Sequence, residues 1–190
     1  ENVEKKIPLV IGQHGGHFGM NLYAFHEEHQ IKIADLWLSW GWSDIYRRQI
    51  HPLGNVKLMD SKSVNYNPKG GALMVECGFP RYSCHLYSTP VSSQFLNYLE
   101  DQKRFLKLLP ESLRNKVTLR LFPRNYGWDE KLRWEDDMPE IDIDLGVKNI
   151  RKLINKSRLY ISTYNATTYL ESFTWNIPTI IFWNPKYWEL

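Results

Sequence analysis

Short apolar runs, each closed by glycine, proline or a polar cluster, recur along the chain, and between them apolar residues fall at helical spacing. The runs Ile7–Ile11, Ala34–Trp40, Ala72–Cys77, Val117–Phe122, Leu159–Ser162 and Pro178–Trp183 read as strands. Pro8 sits near the start of the first, where a missing donor is tolerated. The amphipathic stretches predict helices over Leu22–His29, from Ser93 onward (Phe95, Leu96, Leu99, Phe105, Leu106 and Leu109 on one face), over 147–155, and over Thr167–Trp175. Asn176 is placed to end the last helix, because Asn tolerates the left-handed backbone. Residues 52–55 predict a turn, 61–71 and 80–92 loops, and 124–140 a long charged loop, while Asp142–Asp144 reads as an edge strand or the approach to a helix. Strands alternating with helices argue an α/β fold with an open, mostly parallel sheet and helices on both faces.

The composition narrows the classes this fold can serve. With 190 residues, the chain is long enough for one ordinary domain or two very small ones. Its 24 basic and 21 acidic residues leave a net charge of +3, too little to point to nucleic acid. No apolar run approaches the roughly 18 residues of a membrane span, and no signal peptide opens the chain. The chain does not begin with Met, so Glu1 is expected to be a boundary or processing point. Cys77 and Cys84 are too few for a disulfide scaffold or a zinc site and read as reduced thiols of a cytosolic protein. The eight Trp and eleven Tyr suit sugar faces and interfaces as well as a core.

In an open parallel sheet, ligands sit beyond the carboxyl ends of the strands. Three strand-end loops carry unusual chemistry here: 12–19, 120–128 and 162–168. The first is Gly12-Gln13-His14-Gly15-Gly16-His17-Phe18-Gly19. Its glycines expose backbone amides ahead of a helix, an arrangement able to hold a phosphate, although the spacing is neither a Walker loop nor a dinucleotide fingerprint. His14 is the candidate general base or phosphate donor; the plainer alternative is a tight turn in which it caps the helix. The last loop gathers Ser162, Thr163, Asn165, Thr167 and Thr168 at a helix start, with Glu171 one turn in and able to reach a ribose diol. Thr168 and Glu171 also fit a capping box. In the middle loop, Arg120 and Arg124 suit phosphate, or else a surface salt bridge to the acidic stretch 135–140. The pairs His14/His17 and His26/His29 lack the partners of a zinc site, Glu27-Glu28 reads as a solvated helix face, and no Gly-x-Ser-x-Gly supports a hydrolase triad.

Taken together, "GQHGGHFG", "LRLFPRNYGW" and "ISTYNATTYLESFTWNIPTIIFWNP" resemble a family of transferases of bacterial surface-polysaccharide and O-antigen gene clusters. The layout is also similar to the carboxyl-terminal half of GT-B glycosyltransferases and of CDP-glycerol glycerophosphotransferases. This resemblance covers nearly the whole chain. It implies a Rossmann-like domain over 1–190 that binds a nucleotide-activated sugar as donor substrate, with no separate cofactor and no metal. It maps substrate binding onto Gly15, Gly16, Arg120, Arg124, Ser162, Thr163, Asn165, Thr167, Thr168 and Glu171, with His14 catalytic. Two departures leave the nucleotide base open: Phe122-Pro123 stands where the glycerophosphotransferases carry His-Pro, and Tyr164-Asn165 replaces their acidic turn. Because a GT-B site is a cleft between two domains, the chain is expected to be a fragment lacking its amino-terminal acceptor domain, and to be inactive alone. The implied partners are a nucleotide sugar and a glycan acceptor, in the cytoplasm at the inner face of the membrane with peripheral attachment.

Two rival functions stay open on the residues. A sugar-nucleotide epimerase of this architecture would need further carboxylates, for which Asp35, Asp44 and Glu76 are the candidates. A non-catalytic glycan-binding module would stack sugars on Trp37, Trp40, Trp42, Trp128 and Trp134.

Overall fold

A computed structural model describes residues 4–5, 7–61, 63–83, 88–165 and 167–188. Among them, eight strands and seven helices follow one another as an α/β chain. The strands are all parallel and divide into two sheets, one of three strands and one of five. Cys84 lies outside the described residues.

The first sheet is built from β1 (Val10–Gly12), β2 (Leu36–Ser39) and β3 (Ile50–Pro52) in that spatial order. Helix α1 (Phe25–Ile33) makes the crossover from β1 to β2. It buries Ile31 with Phe18, Trp37 and Ile50 in a small core of its own. The structure starts β1 later than the apolar run suggests: the Leu9 carbonyl accepts from the Asp35 and Leu36 amides at 2.9 and 3.2 Å, and the Leu9 amide donates to the Asp35 carboxylate at 2.7 Å. A short helix α2 (Val56–Met59) leads away from this sheet.

The second sheet holds β4 (Gly71–Val75), β5 (Val117–Arg120), β6 (Asp142–Asp144), β7 (Ser157–Ser162) and β8 (Thr179–Ile181). Their spatial order is β6-β5-β4-β7-β8, so the chain starts in the middle, builds outward on one side, then returns to build on the other. Strand alternation sends neighbouring side chains of β4 to opposite faces. Leu73 and Val75 join Tyr160, Phe95 and Trp175 in one core, whereas Met74 joins Leu119, Ile161 and Trp134 in the other. Buried on both faces, the central strand β4 carries the continuous apolar sequence expected inside a parallel sheet. The helices α3 (Gln94–Lys107), α4 (Glu111–Arg114), α5 (Glu130–Asp137), α6 (Ile150–Ile154) and α7 (Thr167–Thr174) supply the flanking layers. Asn176 does take the left-handed conformation, at φ 55°, just past α7.

Besides the short helices α2 and α4, two elements differ from the sequence expectation. The turn at 52–55 is preceded by the strand β3, and the long loop at 124–140 contains α5. Asp142–Asp144 is the edge strand β6.

Candidate functional site

The glycine-rich loop after β1 is organised by Gln13, a buried residue that the sequence reading passed over. Its side-chain nitrogen donates to the Gly15 carbonyl at 2.7 Å, and its oxygen accepts from the Trp40 amide at 2.8 Å and the Trp42 indole at 3.0 Å. The loop is thereby tied to the segment following β2. Phe18 anchors its far end in the small core. Gly15 is needed because a Cβ there would stand 2.7 Å from the His17 ring, and Gly19 because its φ of 79° is left-handed. The Gly19 amide donates to the Glu27 carboxylate at 3.1 Å. Glu27 is therefore buried rather than on a solvated face, and burial pushes its pKa up.

The turn after β7 spends its hydroxyls inward. Ser162 donates to the Tyr164 carbonyl at 3.0 Å, and Thr163 donates to the Val75 carbonyl at 2.8 Å while meeting the Tyr98 hydroxyl at 2.5 Å. These bonds pin β7 to β4 and to α3. Thr168 donates to the Tyr164 hydroxyl at 2.7 Å, and Glu171 pairs with Lys57 at 3.0 Å, so the two do not form a capping box.

These two loops meet although they belong to different sheets. The Gly16 amide donates to Thr167 Oγ1 at 3.2 Å, Asn165 Nδ2 donates to Asn21 Oδ1 at 2.6 Å, and the Tyr169 hydroxyl reaches Met20 Sδ at 2.7 Å. The Lys57–Glu171 pair adds a fourth tie, from α2 to α7. His14, Gly15, Gly16, Asn165, Thr167 and Glu171 are thus drawn toward one seam between the sheets.

A cavity lies on each side of the seam. One, of about 290 Å³, opens beyond the carboxyl ends of the three-stranded sheet and is lined by His14, Trp40, Asn55 and Lys57 among others. His14 is exposed there, with Nε2 3.2 Å from the Gln30 side-chain nitrogen. Both polar atoms of the Asn55 amide are buried without a partner. The other cavity, of about 280 Å³, lies beyond β4 and β7, where the strand order reverses, and is walled by Cys77, Phe79, Tyr164, Asn165 and Trp188 with His17 and Asn21. Burial, reinforced by His14 and His26, lowers the His17 pKa to about 4, so its ring is neutral at pH 7.

The arginines of the third loop sit elsewhere. Arg120 donates to Asp144 at 2.5 Å and to the carbonyls of Lys148 and Gly146, each at 2.9 Å, closing the loop after β6. Arg124 is exposed and stacks 5.7 Å above the Tyr126 ring. Neither residue lines either cavity at the seam. Of the tryptophans considered as a sugar platform, Trp37, Trp128 and Trp134 are buried in the cores, while Trp40 and Trp42 are half-buried.

Lys57, Asn21 and Trp188 escaped the sequence reading. Lys57 stands on a four-residue helix that buries none of its residues, and nothing local in the sequence marks Asn21 or Trp188 as neighbours. Gln13 did carry a signal: a polar residue at a buried strand end needs partners.

Among the described residues, no helix is long and apolar enough to cross a membrane, and no cluster of three or more His, Cys, Asp or Glu is gathered to hold a metal ion. A family model described as LIC12162 family transferase matches residues 1–190. No curated protein matches the chain.

Proposed function

The chain belongs to the LIC12162 family of transferases, and from that premise we propose that it serves the transfer of a glycosyl group from a nucleotide-activated sugar to a glycan acceptor in bacterial surface-polysaccharide synthesis. The observation that carries this reading is the contact of the glycine-rich loop with the start of α7 across two sheets, through the Gly16 amide and Thr167 at 3.2 Å. Loop amides, a helix start and a neighbouring lysine form a place suited to a diphosphate.

In this reading the amides at Gly15 and Gly16, with Thr167, Thr168 and Lys57, hold the diphosphate, and Glu171 accepts from the ribose hydroxyls. Arg124, which lines neither cavity, adds only long-range attraction to the phosphates. Arg120, Ser162, Thr163 and Asn165 contribute by holding the strand ends in place. His14 faces the first cavity, where the acceptor hydroxyl enters. The acceptor oxygen forms a bond to the anomeric carbon, its proton passes to His14, and the bond from that carbon to the diphosphate oxygen breaks with its electron pair on the leaving nucleoside diphosphate. Fixed donors around that diphosphate stabilise the charge as it develops. The nucleotide sugar is the donor substrate, and no separate cofactor enters this scheme.

The test is calorimetric titration of the protein with uridine and cytidine diphosphates, on the wild type and on Lys57→Ala. At least one nucleotide is expected to bind at millimolar concentration or below. Loss of the Lys57 contact should weaken it about tenfold, the size of one charge-assisted hydrogen bond. Absence of binding by both nucleotides would sink the donor-binding reading.

A further inference from the structure

The second cavity has a chemistry of its own. It lies outside the carboxyl ends of β4 and β7, the two strands between which the order of the five-stranded sheet reverses. Ligands of open parallel sheets collect at such a point. Phe79, Tyr164 and Trp188 give it flat aromatic walls. Its described lining carries no formal charge at pH 7: the neutral His17 and the Cys77 thiol, whose pKa burial pushes up, are the titratable groups there besides Tyr164, whose pKa burial also raises. A charged group entering here would lose its hydration with no opposite charge to meet it.

Two lining residues carry buried side-chain groups without a partner, Asn21 Nδ2 and the Trp188 indole nitrogen, and both are donors. Trp188 is buried to 1% exposure. The Asn21 amide is already oriented, since its oxygen accepts from Asn165 at 2.6 Å. Buried donors left unpaired cost free energy, and a bound acceptor recovers it. Solvent reaches neither nitrogen, so a ligand engages them through rotamer-scale movement of the two side chains, a common accompaniment of binding.

We propose that this cavity seats the base of the nucleotide donor and selects uracil over cytosine, with Asn21 and Trp188 donating to its carbonyl oxygens. This rests on the donor reading above. Flat walls fit a ring, neutral walls fit an uncharged one, and two donors fit a pyrimidine with two carbonyl oxygens and a single ring N–H, a pattern that uracil shares with its 5-methyl analogue thymine. Cytosine exchanges one of those oxygens for an amino group, which places a donor against a donor. Sites built to meet a specific polar group reject the analogue that lacks it.

The experiment measures affinity for uridine diphosphate, cytidine diphosphate and inorganic pyrophosphate on the wild type, Trp188→Phe and Asn21→Ala. Thermal midpoints verify that each variant is folded. Uridine diphosphate should bind about tenfold tighter than cytidine diphosphate. Each substitution should weaken uridine diphosphate about tenfold and leave pyrophosphate unchanged. The Trp188 indole proton resonance, assigned by its loss in Trp188→Phe, should move on adding uridine diphosphate and stay in place with pyrophosphate. If the two nucleotides bind equally, or both variants bind uridine diphosphate like the wild type, the base seat is overturned while the diphosphate site stands. If pyrophosphate and both nucleotides all fail to bind, the donor reading falls and takes the base seat with it.

Discussion

The loop after β1, an edge strand, and the loop after β5, an interior strand, end in different circumstances. Both leave the carboxyl end of a parallel strand, and both carry residues suited to phosphate. The first reaches across to the start of α7 and leaves His14 exposed on a cavity. The second folds back on its own sheet edge, where the Arg120 guanidinium is taken up by Asp144 and two carbonyls. A residue type states what chemistry is available; the partners it has already found state how much of that chemistry is left for a ligand. Although its Gly16 and Gly19 amides are engaged by Thr167 and Glu27, the glycine-rich loop keeps the His14 side chain available on the cavity. An arginine beside a buried carboxylate is not left available.

The largest effect expected from this contrast is at His14. Assayed in a protein that also carries the acceptor domain expected to complete the cleft, His14→Ala should slow release of nucleoside diphosphate from a nucleotide-sugar donor by about a hundred- to ten-thousandfold, the usual contribution of a general base. Stability should barely change, since the side chain is exposed. A variant retaining wild-type turnover would remove the base from the first loop and with it half of the comparison.

Next in size is Arg120→Met. Asp144 is almost wholly buried, at 2% side-chain exposure, and would lose its main counter-charge. Stranding a buried charge in this way costs about 3 kcal/mol, with the remaining Lys148 contact at 3.7 Å softening the loss. Urea unfolding should show it, and Asp144→Leu added to Arg120→Met should recover much of the stability. A fall in nucleotide affinity at unchanged stability would mean that Arg120 serves a ligand after all.

How far the sequence anticipated this arrangement depended on the kind of information required. Most elements were legible because their apolar periodicity is strong. The strand β3 was not: only Ile50 of its three residues is buried, and Pro52 argues against a strand. The helix α5 was hidden for a similar reason. It buries only Glu130 and Trp134, presents no apolar stripe, and follows Asp129 in a left-handed conformation that resembles loop geometry. The division into two sheets could not be read at all, because periodicity reports which face of a strand is buried but not which strand lies beside it. Site residues followed the same rule. Types and spacing marked the loops at 12–19 and 162–168. Only coordinates reveal that Ser162 and Thr163 turn their hydroxyls inward, or that Lys57 meets Glu171 across the seam.

A pH-dependent effect tests whether the end of β4 also keeps its charge to itself. Glu76 is buried at 2% exposure and accepts from the Trp134 indole at 2.8 Å. Burial raises its pKa to about 8 from an ordinary 4.5. The folded protein therefore holds this proton more tightly than the unfolded chain does. Its stabilising contribution is complete below the unfolded pKa near 4.5 and is lost as pH rises through the folded value near 8. Over that window stability should fall by up to about 1.4 kcal/mol per pH unit from this group. Glu76→Gln keeps an acceptor for Trp134 and should flatten the slope measured by urea unfolding. A slope unchanged by the substitution would place its origin in other groups.

The smallest expected effect is the sharpest test of the comparison, because it separates the two arginines of one loop. Arg124 lies four residues past Arg120, is exposed, and has the Tyr126 ring beneath it at 5.7 Å. A cation over an exposed ring contributes about 0.5–1 kcal/mol. Removing it by Arg124→Ala should therefore lower stability by no more than that. Its effect on nucleotide binding depends on whether the loop approaches the phosphates when a donor is bound. Arg124 borders neither cavity at the seam, so any contribution is a long-range attraction through solvent. Such attraction is screened over a Debye length of about 8 Å at physiological salt. The expected result is a change in affinity of less than about threefold at physiological salt, growing when salt is lowered. A tenfold loss that persists at high salt would mean direct contact with the bound diphosphate. The second loop would then join the seam through Arg124 while Arg120 stays in the sheet edge, and the contrast would run between neighbouring arginines instead of between loops.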